Sequence, residues 1–424
     1  GDASADGRGR SETSYCEELE ALLRTIVREH LISDVPLGVF LSGGIDSSSL
    51  VAVMSAVTAQ PIRTFSIGFE EQSYDELNHA RAVARAFQTE HHELVIRPEV
   101  VDVLPQLVRY FDEPFADSSA IAVYSVARLA RKHVTVALSG EGGDEVFAGY
   151  ETYAAYKLAQ LYKRLPQLLA ARVLPAMIRR LPVSHRRVSF DYKAKRFVEG
   201  ALLPPADGHY WWKVVFTEEA KAALYTGAGD GVENPVHLFR QAFAQCPASE
   251  PLTKLQHIDL MLYLPDDILV KADRMSMAHS LEVRVPFLDH RMVEFAASLP
   301  AQLKLRGLRK KYLLKRTMAG RLPPQVLQGK KRGFNVPIPL WLRHELRDLV
   351  HDLLSPKAVK EAGLFRPEVV SALLLDHEQM RADYSRNIWG LLMFTLWYEA
   401  YMQPIAQDVA QDAATGSAAR EGIR

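Results

Sequence analysis

Cysteine is almost missing from this chain. Cys16 and Cys246 are the only two in 424 residues, far apart and outside any CxxC pair. That speaks against a disulfide framework or a zinc site and makes a reducing cytosol the default compartment. An excess of either charge is missing too: 51 lysines and arginines balance 51 aspartates and glutamates. No global field therefore draws nucleic acid or an anionic membrane to the protein. No apolar run is long enough to span a bilayer, since the longest, Ile388 to Tyr401, is short and broken by Glu399. No signal peptide and no repeat of fixed period are evident. What is present is 48% apolar residues, enough for a large core and two or more domains.

Residues 1–14 are rich in Gly, Ser, Asp and Arg and read as a linker. The chain opens on Gly1 rather than Met and is expected to be a segment of something longer. Glu17 to Leu31 carries a helical stripe of apolar residues. Strand runs are expected at Pro36–Leu41, Ile62–Phe69, His91–Ile96 and Val134–Leu138. Helices are expected at Ser49–Val57, Asp75–Phe87, Val100–Tyr110 and Ile121–Lys132. Buried apolar strands alternating with helices indicate an α/β fold with a doubly wound, mostly parallel sheet. This core is assigned to residues 15–150. Helical periodicity broken by prolines then dominates, and residues 151–405 are assigned to a large helical C-terminal part. The tail, 406–424, is expected to be disordered.

The stretch Leu41-Ser42-Gly43-Gly44-Ile45-Asp46-Ser47-Ser48 follows the first strand and opens a helix. Backbone N–H groups at a helix start, with its dipole, favour an anion there. Gly43 and Gly44 allow a tight turn and close approach to a phosphate, and Ser42, Ser47 and Ser48 add hydroxyls. No lysine sits in the loop, which rules out a Walker A loop. Asp46 is the informative residue, because a carboxylate beside phosphates repels them unless a divalent cation such as Mg²⁺ lies between. The loop closely resembles the pyrophosphate loop, SGGxDS, of the N-type ATP pyrophosphatases, which cleave ATP between the α and β phosphates. That resemblance implies an adenine nucleotide alpha hydrolase-like, five-stranded sheet.

A second loop, Ser139-Gly140-Glu141-Gly142-Gly143-Asp144-Glu145, directly follows the Val134–Leu138 strand. In a doubly wound sheet, ligands sit beyond the carboxyl ends of the strands, so two such loops can face each other across one crevice. Asp144 is assigned as the partner of Asp46 in holding Mg²⁺, and Glu141 as a group aimed at the reacting centre.

SGGIDSS together with SGEGGDEVFAGY, LEVRVPFLDHRMVEF, KKYLLKR and GKKRGF is similar to the synthetase domain of glutamine-dependent asparagine synthetases. The resemblance runs from about Glu17 to about Tyr401. It implies ATP and Mg²⁺ as cofactors, adenylation of aspartate with release of pyrophosphate, and attack by ammonia to give asparagine and AMP. It places Ser42, Gly43, Gly44, Asp46 and Ser47 on pyrophosphate and metal, Leu41 and Ile67 beside adenine, and Ser139 and Gly140 near the nucleoside. Asp144 completes the metal site, and Glu141 lies beside the acceptor and the attacking ammonia. The family lysine that stabilises charge around the α-phosphate falls on Lys311. Read without the resemblance, Lys311 is one solvated lysine among several on a helix, and Lys310 could equally be the reaching residue. Adenylyl transfer needs cations placed where charge builds up rather than a covalent nucleophile.

Lys330 and Lys331, before Gly333, suit a loop around departing pyrophosphate, or simply a solvated loop. Arg284 and Asp289 are read first as structural ion-pair partners, and His91-His92 as structural rather than a ligand pair. The glutaminase domain that precedes this domain in the family, beginning on a nucleophilic cysteine, has no counterpart here, so this chain alone is not expected to hydrolyse glutamine. Relatives with the same loops make β-lactams, close peptide rings or amidate sugar acids. Glutamate at position 141 fits intermolecular amidation. Asparagine formation is therefore the first reading, amidation of another carboxylate the second, and a non-catalytic nucleotide-binding scaffold the third. A homodimer is compatible with each, whereas net charge argues against a nucleic-acid partner.

Overall fold

Five short strands carry the architecture: β1 (Leu37–Phe40), β2 (Arg63–Phe69), β3 (Glu90–Ile96), β4 (Val136–Leu138) and β5 (Glu282–Arg284). They form one all-parallel sheet in the order β3-β2-β1-β4-β5. The computed structural model describes residues 10–71, 73–74, 77–97, 103–183, 190–227, 233–329 and 336–402. The first helices along the chain are α1 (Glu12–His30), α2 (Ile45–Val57), α3 (Leu77–Ala86), α4 (Leu104–Phe111), α5 (Ala120–Arg131) and the single turn α6 (Gly143–Val146).

The α/β class and the parallel sheet agree with the pattern read from the sequence. Helix α2 begins at Ile45, four residues before the expected Ser49, and two further differences bear on the organisation of the chain. Helix α1 starts at Glu12, where the Ser11 hydroxyl accepts the Ser14 N–H at 3.1 Å and so caps the first turn. The last residues of the expected linker, 12–14, are therefore helical, and its first nine lie outside the described residues, as does the tail 406–424. The fifth strand is supplied from deep within the helical region. Glu282–Arg284 spans only three residues, too few for a period to register, yet it pairs with β4 along its length.

The described residues form two compact units. The first comprises those within Gly1–Arg97, Ala122–Thr217 and Gly231–Pro337. Its main core packs Leu19, Leu23, Ile26 and Val27 of α1 with Leu50, Val51 and Met54 of α2. Phe295, Leu313, Leu314 and Met318 complete this cluster. Helix α2 is buried from Ile45 to Met54 apart from the partly exposed Asp46, down to the fully covered Ser48 and Ser49, and only its last turn reaches solvent. The start of α2 therefore has little freedom to move.

A second fixed point is the buried Asp259, at the head of a π-helical stretch, Asp259–Leu269. It accepts the Tyr153 hydroxyl at 2.6 Å and lies 2.8 Å from His209 Nε2 and 3.3 Å from Lys213 Nζ. Burial pushes this carboxyl up, but His209 and Lys213, with the hydrogen bonds, outweigh it and hold it at about 2. A carboxyl depressed on folding stabilises the protein above its unfolded value, near pH 4, and loses that contribution as pH falls toward 2. Asp259→Asn is expected to cost about 2 kcal/mol at pH 7. Urea unfolding should show that gap between variant and parent narrowing as the medium is acidified below about pH 4.

The second unit comprises the described residues within Pro98–Ile121, Glu218–Asp230 and Ile338–Arg424. It is helical, around Trp341, Val350, Val370, Ile388, Trp389 and Leu392. The Trp397 indole donates to Asp112 O and the Tyr401 hydroxyl to Arg109 O, both at 3.2 Å. Among the described residues, no helix is long and apolar enough to cross a membrane. Both cysteines are free thiols.

Candidate active site

Strand order reverses between β1 and β4: β2 and β3 lie to one side of β1, β4 and β5 to the other. At such a switch point the loops leaving neighbouring strands diverge and open a crevice. The two loops singled out in the sequence leave β1 and β4 at this place.

The first loop needs its glycines for different reasons. Gly43 has φ of +74°, and a Cβ there would stand 2.6 Å from both Ala80 N and His79 Cβ. Gly44 is extended and precedes the first turn of α2. Within the loop the Ser42 N–H donates to Ser47 Oγ at 3.2 Å, and the Gly44 N–H to Ser42 Oγ at 3.2 Å. The two hydroxyl oxygens, 3.1 Å apart, thus occupy donors that an arriving anion would compete for. Leu41 is buried, and its N–H donates to Phe65 O at 2.8 Å. Ile67 is buried two residues further along β2.

The second loop is pressed against the first. A Cβ on Gly140 would lie 3.1 Å from Asp46 Cβ, and one on Gly143 would lie 2.7 Å from Asp46 Oδ1. Ser139 is tied to β5 by its N–H, which donates to Arg284 O at 2.9 Å, and its hydroxyl donates to the Glu141 carboxylate. Glu145 is buried and accepts the Tyr150 hydroxyl. Gln256 clamps the turn from behind, its Nε2 donating to Glu145 O at 2.6 Å and Val146 O at 3.1 Å.

A lysine joins the loops. Lys311 Nζ contacts the Asp46 carboxylate and lies 2.6 Å from Asp144 Oδ1. Its side chain is only 4% exposed against 18% and 19% for the two aspartates. Burial pushes the ammonium toward losing its proton, but Asp144 and Asp46 outweigh that and hold its pKa above the usual lysine value. Lys311 takes up a left-handed backbone, φ 53°, directly before the helix Tyr312–Thr317. Such a conformation is costly for a residue with a Cβ and concentrates at functional positions. Lys310 turns elsewhere, to Glu151.

Of the residues singled out in the sequence, Ser42, Gly43, Gly44, Asp46, Ser47, Ser139, Gly140, Glu141, Asp144 and Lys311 therefore lie on two apposed loops and the lysine that joins them. Lys330 and Lys331 lie outside the described residues. Arg284 and Asp289 do pair, each with a near neighbour. Arg284 takes Glu282 and the His30 and Ile32 carbonyls, while Asp289 takes Arg291. Gly149 and Gln256 were not legible as site residues. A Cβ on Gly149 would overlap Asp144 Oδ1 and Lys311 Cε, a constraint that no local sequence signal carries.

The chemistry of this donor set suits a hard divalent cation. Two carboxylates from distant loops converge on one cationic group, all ligand atoms are oxygen, and the ammonium stands where an ion could be shared.

A family model described as asparagine synthase matches residues 18–399. Glutamine-hydrolysing asparagine synthetase 1 of Bacillus subtilis (strain 168) is 36% identical over 398 residues, covering 91% of this chain and 60% of that protein. A putative glutamine-hydrolysing asparagine synthetase of Mycobacterium tuberculosis (strain H37Rv) is 35% identical over 390 residues, with 91% and 58% covered. The amidase chry2 of Gibberella zeae is 24% identical over 394 residues, with 84% and 57% covered. The chain thus spans about 60% of the length of the curated relatives it matches.

Proposed function

Because this chain belongs to the asparagine synthase family, we propose that it makes amides at the expense of ATP, with aspartate the first-choice acceptor and ammonia the nitrogen donor. A carboxylate oxygen attacks the α-phosphorus of ATP and the bond to the β-phosphate oxygen breaks, releasing pyrophosphate. Ammonia then attacks the activated carbonyl carbon, AMP leaves with the bonding pair, and a proton is lost from nitrogen. The observation that carries this reading is the convergence of Asp46, Asp144 and Lys311 where the two loops meet.

In this reading Ser42, Gly43, Gly44 and Ser47 cradle the pyrophosphate end of ATP, with their N–H and hydroxyl donors turning from one another to the ligand. Leu41 and Ile67 form an apolar wall for adenine, and Ser139 and Gly140 border the nucleoside. Asp46 and Asp144 would hold Mg²⁺, which supplies charge neutralisation at the phosphates. Lys311, kept charged by its surroundings, offers a cation to the α-phosphate as negative charge grows there. Glu141, oriented by Ser139, faces the acceptor and takes up the proton that ammonia sheds. Lys330 and Lys331 would meet the departing pyrophosphate. The proposed setting is the cytoplasm, with a glutaminase domain as the usual source of ammonia in relatives.

Incubation with ATP, Mg²⁺, ammonium and a panel of carboxylates, read by mass spectrometry, tests the proposal. Aspartate should give asparagine, AMP and pyrophosphate in equal amounts. Product from a different acid with none from aspartate would replace the acceptor, a reading that the similarity to a fungal amidase keeps in play. A folded chain that releases no pyrophosphate with any acid would leave the scaffold reading standing.

A further inference from the structure

The geometry points to a second cation site of different chemistry, a zinc-class divalent site formed by Glu90, His92 and His133 at the opposite end of the sheet. One ligating atom from each of these residues lies within 4.8 Å of the other two. Glu90 and His92 are two apart on β3 and so share a face, with Glu90 Oε1 3.0 Å from His92 Nε2. His133 comes from the turn between α5 and β4, where its N–H is fixed by a 2.9 Å bond to Ala130 O. The two imidazoles stack with ring centroids 3.8 Å apart.

Their surroundings favour a held arrangement over a loose surface cluster. Phe65, the register partner of His92 on β2, stacks on that ring at 5.4 Å and meets His133 at 5.8 Å. Gly38 gives Phe65 its space, since a Cβ there would fall 2.5 Å from the ring. Arg63, the register partner of Glu90, binds the other carboxylate oxygen at 3.1 Å and donates to His133 O at 3.2 Å. Arg63 thus orients two of the three ligands from behind, as outer groups do in metal sites. His91, on the other face of β3, is bound to Thr64 at 2.7 Å and takes no part.

Ligands on a tetrahedral zinc ion stand about 3.3 Å apart, so side-chain rotation closes the remaining gap. Two imidazoles and a carboxylate, with solvent at a fourth position, are a set that zinc accepts and Mg²⁺ does not favour. Scarcity of cysteine speaks only against thiolate sites. The cluster lies at the amino ends of the strands, whereas the catalytic loops leave their carboxyl ends. Its bound ion would therefore fasten the edge strand β3 to the α5–β4 turn rather than enter the reaction.

The test uses the untagged chain and Co²⁺ as a spectroscopic probe. One Co²⁺ per chain should give the intense visible band of low-coordinate cobalt, any ion held by Asp46 and Asp144 among oxygens adding only the weak band of six-coordinate cobalt, and Zn²⁺ should remove the intense band while raising Tm. His133→Gln and His92→Gln should each weaken Co²⁺ binding by about a hundredfold and abolish the Tm response to Zn²⁺. Glu90→Gln, at an exposed position, should weaken it as well. His91→Gln and Asp46→Asn should leave the band unchanged. The site is refuted if the parent shows no such band, if the band survives Glu90→Gln together with either histidine change, or if it disappears with Asp46→Asn.

Discussion

Lys311→Met is expected to lower the rate of pyrophosphate release by about 10²- to 10³-fold, the loss seen when one preorganised electrostatic donor is removed from a reacting centre. The same substitution should strengthen divalent-ion binding in the absence of nucleotide. In the structure the lysine ammonium satisfies Asp46 and Asp144 together. Its raised pKa keeps it charged throughout the working pH range. A metal ion arriving alone must compete with it, and methionine removes the competitor. Mn²⁺ binding followed by electron paramagnetic resonance should tighten by about tenfold or more. Unchanged Mn²⁺ affinity would mean that the two aspartates do not share the ion. A variant with full turnover would remove Lys311 from the chemistry.

Gly149→Ala is the second large effect, and it should separate activity from folding. The added methyl overlaps Asp144 Oδ1 and Lys311 Cε, both near the ends of side chains that can swing aside. The fold can therefore absorb the change, while the aspartate and the lysine are driven off their common position. Loss of about a hundredfold in turnover is expected from misplacement on the scale of an ångström. Gly43→Ala offers the contrast. There the methyl meets the backbone nitrogen of Ala80, and the φ of +74° adds strain of about 1–3 kcal/mol. Thermal melts should show Gly149→Ala near the parent and Gly43→Ala well below it. A normal rate in Gly149→Ala would break the link drawn here between loop spacing and catalysis.

The loops themselves were legible because chemistry needs unusual residues there: paired glycines after an apolar strand, with acids where a phosphate site would normally exclude them. Four strands and most early helices could be read from their apolar periods. Strand β5 could not, because three residues inside a helical region leave no period to see. Nor could sequence decide between Lys310 and Lys311. Adjacent lysines are chemically identical until the backbone turns one inward, and the left-handed conformation at residue 311 does that. The grip of Gln256 on Glu145 O and Val146 O was equally hidden, since it joins residues more than a hundred positions apart.

That remote fifth strand has a consequence for how the protein is made. Synthesis delivers β4 nearly one hundred and fifty residues before β5, which pairs with it through Val136, Ala137 and Leu138. Until Glu282–Arg284 emerges from the ribosome, one border of the nascent sheet presents open peptide groups, the kind of edge on which chains stick to one another. Closing so long a loop also ranks among the slower events in folding. The interval is therefore when the growing polypeptide is most exposed to aggregation and most in need of a chaperone.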